Sequence, residues 1–187
     1  MSGSMDQTTM RDPLTHYPRS AFDKQPRPAP GLAGQMRPRP DHGETSCRGM
    51  GRLSGRRALT AGADGGIGRA VATAFAREGA HLALNYLHSE QADAREVLAL
   101  VADAGRQALA LPGDIAGESF CRQLVAGKQV CIEQFAGLAT ARLGATFRTK
   151  RPGQPAELAP VHVLLASQQP SFVTGEIRGV TGGHHLP

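Results

Sequence analysis

The sequence predicts an α/β fold: an incomplete, doubly wound parallel sheet carrying an extended, Pro-rich N-terminal arm. Three observations predict it. Short apolar runs alternate with helix-length segments in the order β-α-β-α-β from 57 to 114, an alternation that implies parallel pairing. Glycines cluster at the first strand-to-helix turn. Seven of the thirteen prolines fall within residues 1–50, where no helical or strand period appears.

Residues 1–50 form the arm. Its PRPAP (26–30) and PRPD (38–41) runs favour extended, polyproline-like backbone. It is read either as a solvated linker or as a segment lying along another subunit. The net charge of +5 belongs to this end. Residues 1–57 hold 10 Lys/Arg against 5 Asp/Glu, whereas the rest of the chain is balanced.

Residues 51–126 carry the β-α-β-α-β half. A strand at 56–61 runs into a helix whose Ile67, Val71 and Phe75 lie four apart on one stripe. Gly79 is placed to end that helix. Residues 81–86 read as the second strand. Ser89 is the expected N-cap of the next helix, with Ala94, Val97, Leu98 and Val101 on its apolar face and Gly105 as its stop. Residues 108–111 form the third strand, and a further helix starts near Glu118. Residues 127–150 carry no readable pattern. In 151–187, Pro155 opens a helix with Leu158, Val161 and Leu165 as its stripe, and Ile177 to Thr181 read as a last strand.

Several function classes fall away. No apolar run reaches the roughly 18 residues a membrane helix needs, and the polar N-terminus lacks a secretory h-region. The cysteines, Cys47, Cys121 and Cys131, are odd in number and show no metal-ligand spacing, which fits a reducing, cytoplasmic setting. His184 and His185 have no carboxylate or thiol at ligand spacing, so no metal site is expected. Nucleic acid is not an expected partner, because the arm's acidic residues are interspersed with its basic ones and its aromatics are only Tyr17 and Phe22.

The glycine turn carries the chemistry. A strand, then G-x-x-x-G-x-G, then a helix makes a phosphate cradle: the glycines permit a tight turn and close approach, and the helix N-terminus presents unpaired N–H groups. The cradle residues are Gly62, Asp64, Gly65, Gly66, Ile67 and Gly68. At the end of the second strand, where an acidic residue would bind a ribose 2′-hydroxyl, stand Asn85 and Tyr86. With no carboxylate there to repel a 2′-phosphate, the balance tips from NAD to NADP, though no Arg in the loop clamps one. Asp114, with Ile115 beside it, ends the third strand where the adenine edge would lie, and it also reads as a turn-capping Asp.

These residues resemble the short-chain dehydrogenase/reductases. Ala61–Ala70 (AGADGGIGRA) is similar to that family's cofactor loop, and Gly113–Ile115 to its adenine-side Asp motif. Residues 151–160 (RPGQPAELAP), 165–167 (LAS), 173–175 (VTG) and 180–183 (VTGG) resemble its last helix and strand. His16–Pro18, Pro38–Glu44 and Gly51–Leu53 resemble an N-terminally extended subgroup that includes general stress oxidoreductases and glucose/ribitol dehydrogenase homologues. The resemblance covers about 9–126 and 143–183. It implies a Rossmann fold, an NAD(P) cofactor, a small carbonyl, alcohol or sugar substrate, and a homo-oligomer in which the arm and the C-terminal helix and strand pack.

The chain departs from that pattern where catalysis belongs. The family's chemistry implies a Tyr, a Lys four residues later that lowers its pKa, and a Ser. Four residues after Tyr17 stands Ala21, and four after Tyr86 stands Glu90. No catalytic residue can be assigned. Only 36 residues separate Asp114 from Arg151, too few for the missing strands and helices at roughly 30 residues or more per unit. The last strand thereby loses its usual neighbour, an exposed-edge hazard. Thr60 stands where the first strand should be apolar, and an unpartnered hydroxyl there costs roughly 1–3 kcal/mol. Three readings stay open: an oxidoreductase by descent missing its catalytic segment, a nucleotide-binding pseudoenzyme, and a binder acting through the basic arm.

Overall fold

The computed structural model describes residues 10–12, 14–19, 23–126 and 153–167. Three parallel strands, β1 (Arg57–Ala61), β2 (His81–Tyr86) and β3 (Ala108–Pro112), stand in that order in one sheet. Leu59 pairs with Ala83, and Ala83 with Leu109. Helices α1 (Gly66–Arg77) and α2 (Gln91–Asp103) make the crossovers. α3 (Glu118–Ala126) follows β3, and α4 (Pro155–Ala166) comes from the C-terminal part. The expected strand at 177–181, the stretch 127–150 and Cys131 lie outside the described residues.

The core forms between the sheet and its two crossover helices. Ala72, Ala76, Leu82, Leu84, Val97 and Val101 bury together, with Phe75 and Leu98 packed at the edge. β2 supplies Leu82 and Leu84, two positions apart and so on the one face that the helices cover. Gly79 and Gly105 follow α1 and α2 with positive φ (103° and 70°), as helix-ending glycines do. Thr60 is buried, and its Oγ1 has no hydrogen-bond partner, the cost the sequence anticipates.

Three local expectations are corrected. Ile67 does not share the buried stripe of α1: it is 43% exposed, because it lies in the first turn, beyond the sheet's cover. Ser89 does not cap α2. It lies inside a 3-10 turn, His88–Glu90, that runs directly into α2. The stripe of α4 is not Leu158, Val161 and Leu165. Its buried residues are Ala159 and Val163, which pack on Ala70 and Ala74 of α1, while Leu165 is 50% exposed. Small residues on both helices allow a close approach, and Leu164 and Leu165 are turned outward. Pro155 does open α4, and Gln154 precedes it in a capping box with Glu157.

The arm lies on its own chain's body. The Arg77 guanidinium donates to the carbonyls of Gly43 (2.7 Å), Cys47 (2.6 Å) and Glu44. Glu78 accepts from the Met50 and Arg52 N–H groups at 3.0 Å each, and pairs with the Arg52 guanidinium. Tyr17 Oη donates to Asp41 Oδ2 (2.7 Å), and the Asp41 backbone bonds Gln154 and Ala156 at the start of α4. Arg39 of the arm is paired with Glu96, and Arg52, just beyond the arm, with Glu78. Among the described residues no helix is long and apolar enough to cross a membrane, and no cluster of His, Cys, Asp or Glu could hold a metal ion.

Candidate functional site

Parallel pairing brings the C-terminal ends of all three strands to one edge, and the loops leaving them meet there. Ala63 N–H bonds Asn85 C=O (3.0 Å), and Gly113 N–H bonds Tyr86 C=O (2.9 Å), so the turns after β1 and β3 are both tied to the end of β2. This edge is where open α/β sheets bind ligands.

The glycine turn has the shape of a cradle. Gly62 and Gly66 hold φ of 60° and 51°, and a Cβ at either would project into open space. Left-handed φ, and not crowding, is what favours glycine at these two positions. Gly68 is required for a different reason: its Cβ would come 2.0 Å from the Gly62 carbonyl oxygen. Gly65 precedes α1 in extended conformation, and the first helical bond runs from Arg69 N–H to Gly65 C=O. The N–H groups of Gly66, Ile67 and Gly68 thus precede the helical ladder and are available to an anion. These features fit a pyrophosphate.

Asp64 sits within this turn, only 6% exposed. Burial pushes its carboxyl up to about 6, and the neighbouring charges of Glu90 and Asp93 push the same way, against Arg69. Asn85 and Tyr86 turn inward. The Asn85 amide donates to Leu111 C=O (2.9 Å) and Gly113 C=O (3.0 Å), and Tyr86 Oη donates to Gln91 Oε1 (3.1 Å). Asp114 is exposed and accepts the Ala116 N–H at 2.8 Å, the turn-capping role. The Ile115 carbonyl accepts from the Cys121 thiol (2.9 Å).

β2 itself ends without a carboxylate, at Asn85 and Tyr86, but one comes back toward it from the turn that follows. The 3-10 turn folds back, and Glu90 Oε2 accepts the N–H of Leu87, the residue that follows β2, at 3.2 Å. Sequence spacing hid this, because Glu90 lies four positions past Tyr86. Its capping relation to Leu87 was the available signal. Sequence reasoning also missed the arm's part in the site. Ala33, in the arm's own 3-10 turn (Ala33–Gln35), lies 3.9 Å from where a Cβ of Gly65 would stand. Asp93, in the first turn of α2, fixes that turn through the Ala33 N–H (2.6 Å).

A cleft of about 390 Å³, lined by Leu53, Ala58, Phe75 and Leu165, lies at the other end of β1. Arg56, Arg57 and Ser167 also line it, and it lies away from the C-terminal strand ends where the glycine turn sits.

Comparison with known proteins gives the family. The short chain dehydrogenase family model matches residues 56–142. The match runs past 126, into the stretch where the sequence pattern alone shows nothing. The oxidoreductase YghA of Escherichia coli is 31% identical over 290 aligned positions, covering 95% of this chain and 99% of the relative. The chain belongs to the short-chain dehydrogenase family. That alignment is longer than the chain itself while nearly all of both proteins is included. The shortfall against this relative is therefore internal. The oxidoreductase YhxD of Bacillus subtilis is 42% identical over 159 residues, 76% of this chain, and this chain spans 53% of its length. A short chain dehydrogenase from Burkholderia cenocepacia, solved in complex with NADP, is 38% identical with a TM-score of 0.38, covering 41% of this chain and 31% of the other.

Proposed function

We propose that this chain is a short-chain oxidoreductase by descent that keeps the nicotinamide dinucleotide cradle and lacks hydride-transfer activity. The open-faced glycine turn carries the reading: two left-handed glycines facing empty space, a third in close contact with the turn, and unpaired helical N–H groups behind them. Gly62, Gly65, Gly66, Ile67 and Gly68 would hold the pyrophosphate, and Asp64, Asn85, Tyr86, Asp114 and Ile115 would line the adenosine side. A bound NAD or NADP would supply a hydride acceptor or donor. The chain's own contribution to turnover should be a proton at the substrate oxygen, and the Tyr-x-x-x-Lys pair that provides it in this family is absent from the sequence.

The internal gap against YghA supports this reading over a basic-arm binder. So does the pairing of the arm's Arg39 with Glu96 of the body. We read α4, whose Leu164 and Leu165 are 37% and 50% exposed, as the face for self-association. Sedimentation should show a homo-oligomer, and a strict monomer at micromolar concentration would refute that part. Function is tested by titrating the chain with NADH and NADPH and following nucleotide fluorescence, then assaying small aldehydes, ketones and sugars. Saturable binding without turnover is expected. Turnover by the pure chain would overturn the proposed inactivity.

A further inference from the structure

Gly65, Gly66 and Gly68 make the first turn of α1 and its approach almost free of side chains. Glycine loses more conformational freedom on ordering than any other residue. The N–H groups that would face a pyrophosphate therefore gain from restraint supplied outside the turn.

The arm supplies it at two points. At the first, Ala33 is 5% exposed and lies 3.9 Å from where a Cβ of Gly65 would stand. Its N–H donates to Asp93 Oδ2 (2.6 Å), and the Gly34 N–H lies 3.4 Å from both oxygens of that carboxylate. A Cβ at Gly34 would come 3.0 Å from Asp93 Oδ1, so the missing side chain permits the close approach. At the second point, the buried Arg69 guanidinium bonds Glu44 of the arm (3.0 Å) and Glu96 of α2 (2.7 Å), and Glu96 also pairs with Arg39 of the arm. Arg69 N–H donates the first helical bond of α1, to Gly65 C=O (3.0 Å). The arm thus restrains the residues at both ends of that bond: Gly65 through Ala33, and Arg69 through Glu44.

We propose that the arm turn Ala33–Gln35, together with Asp93 and Glu44, positions the cradle, so that arm docking and dinucleotide binding strengthen each other. The proposal rests on the dinucleotide reading above. Fixing the donors before the ligand arrives lowers the ordering cost of binding. The coupling is reciprocal: a bound nucleotide favours the docked arm by the same factor as the docked arm favours the nucleotide. Asp93 and Glu44 are positioning residues that act through Ala33 and Arg69, and neither needs to touch the nucleotide.

Hydrogen exchange of the full chain tests it, read by mass spectrometry on peptides spanning 31–36 and 62–68, with and without saturating NADH or NADPH. Both stretches should exchange more slowly with nucleotide, the arm by about tenfold. By isothermal titration, Asp93→Ala should weaken nucleotide binding about tenfold, and Asp93→Asn, which keeps an oxygen for the Ala33 N–H, should recover most of that loss. Melting curves confirm that the variants fold, and the wild-type exchange comparison needs no variant. Slower exchange at 62–68 with none at 31–36, or a folded Asp93→Ala variant that binds as tightly as the wild type, overturns the positioning role alone. Exchange unchanged in both stretches overturns the dinucleotide reading and this role with it.

Discussion

Helix α1 is buried on two sides by opposite kinds of chemistry. Toward the sheet, Ala72 and Ala76 pack on Leu82, Leu84 and Val97 with no polar group between them. Toward the arm, Arg69, Arg77 and the adjoining Glu78 do the holding, through charged hydrogen bonds to Glu44, to three arm carbonyls and to Arg52. The apolar side depends on shape and is insensitive to pH. The arm side depends on charge: burial pushes the Glu44 carboxyl up, but His42, its own backbone and Arg69 hold it down, at about 2. One helix thus joins a core that any αβ unit would have to a seam peculiar to this chain.

The comparison can be broken from either side. On the core side, Leu84→Ala should cost about 3–4 kcal/mol, since Leu84 is 1% exposed at the centre of the sheet. Chemical denaturation measures it, and a cost below about 1 kcal/mol would mean the sheet is not the core. On the seam side, Arg69→Ala should cost about 3 kcal/mol by removing a buried guanidinium that bonds both Glu44 and Glu96.

The two regions should also part on acidification. Glu44 ionises more readily folded than unfolded, so its contribution is full above its ordinary value of 4.5 and is lost as pH falls toward about 2. That loss should be about 2 kcal/mol, allowing for partial exposure, and smaller in the Arg69→Ala variant. Asp64 acts in the opposite sense. Its carboxyl is raised to about 6, so the stability it lends is present below its ordinary value of 3.8 and lost as pH rises through 6. Melting temperatures across pH 2–8 for the wild type, Arg69→Ala and Asp64→Asn separate these effects. An acid limb unchanged in Arg69→Ala would show that Arg69 does not hold Glu44 down.

The smallest expected effect sharpens the core side. Thr60→Val removes the unpartnered buried hydroxyl at constant shape and should raise stability by about 1 kcal/mol. A loss of stability would mean that Thr60 has a partner.

How much of this is legible in the sequence follows the same division. β2 (His81–Tyr86) falls where its apolar run places it, and Gly62, Gly66 and Gly68 announce the turn, because periodicity and left-handed glycines are local signals. Arg69 looks like a solvent-facing helical residue, yet it is among the most buried side chains. Its partners Glu44 and Glu96 lie 25 and 27 positions away, beyond the reach of any local pattern. α4 misleads for a related reason. Its large residues suggest the stripe, but the contact with α1 is made by Ala159 and Val163. Glu90 escapes notice because a 3-10 turn, which no apolar period marks, returns it to the strand end.

The central claim is that the glycine turn still holds a dinucleotide although the catalytic pair is absent. A thermal unfolding scan of the purified chain, with and without saturating NADH or NADPH, tests it most directly. A ligand that binds only the folded state must stabilise it, by about 2.7 kcal/mol at a hundred times its Kd. One cooperative transition that moves upward with nucleotide is expected. A transition that neither nucleotide moves would contradict it.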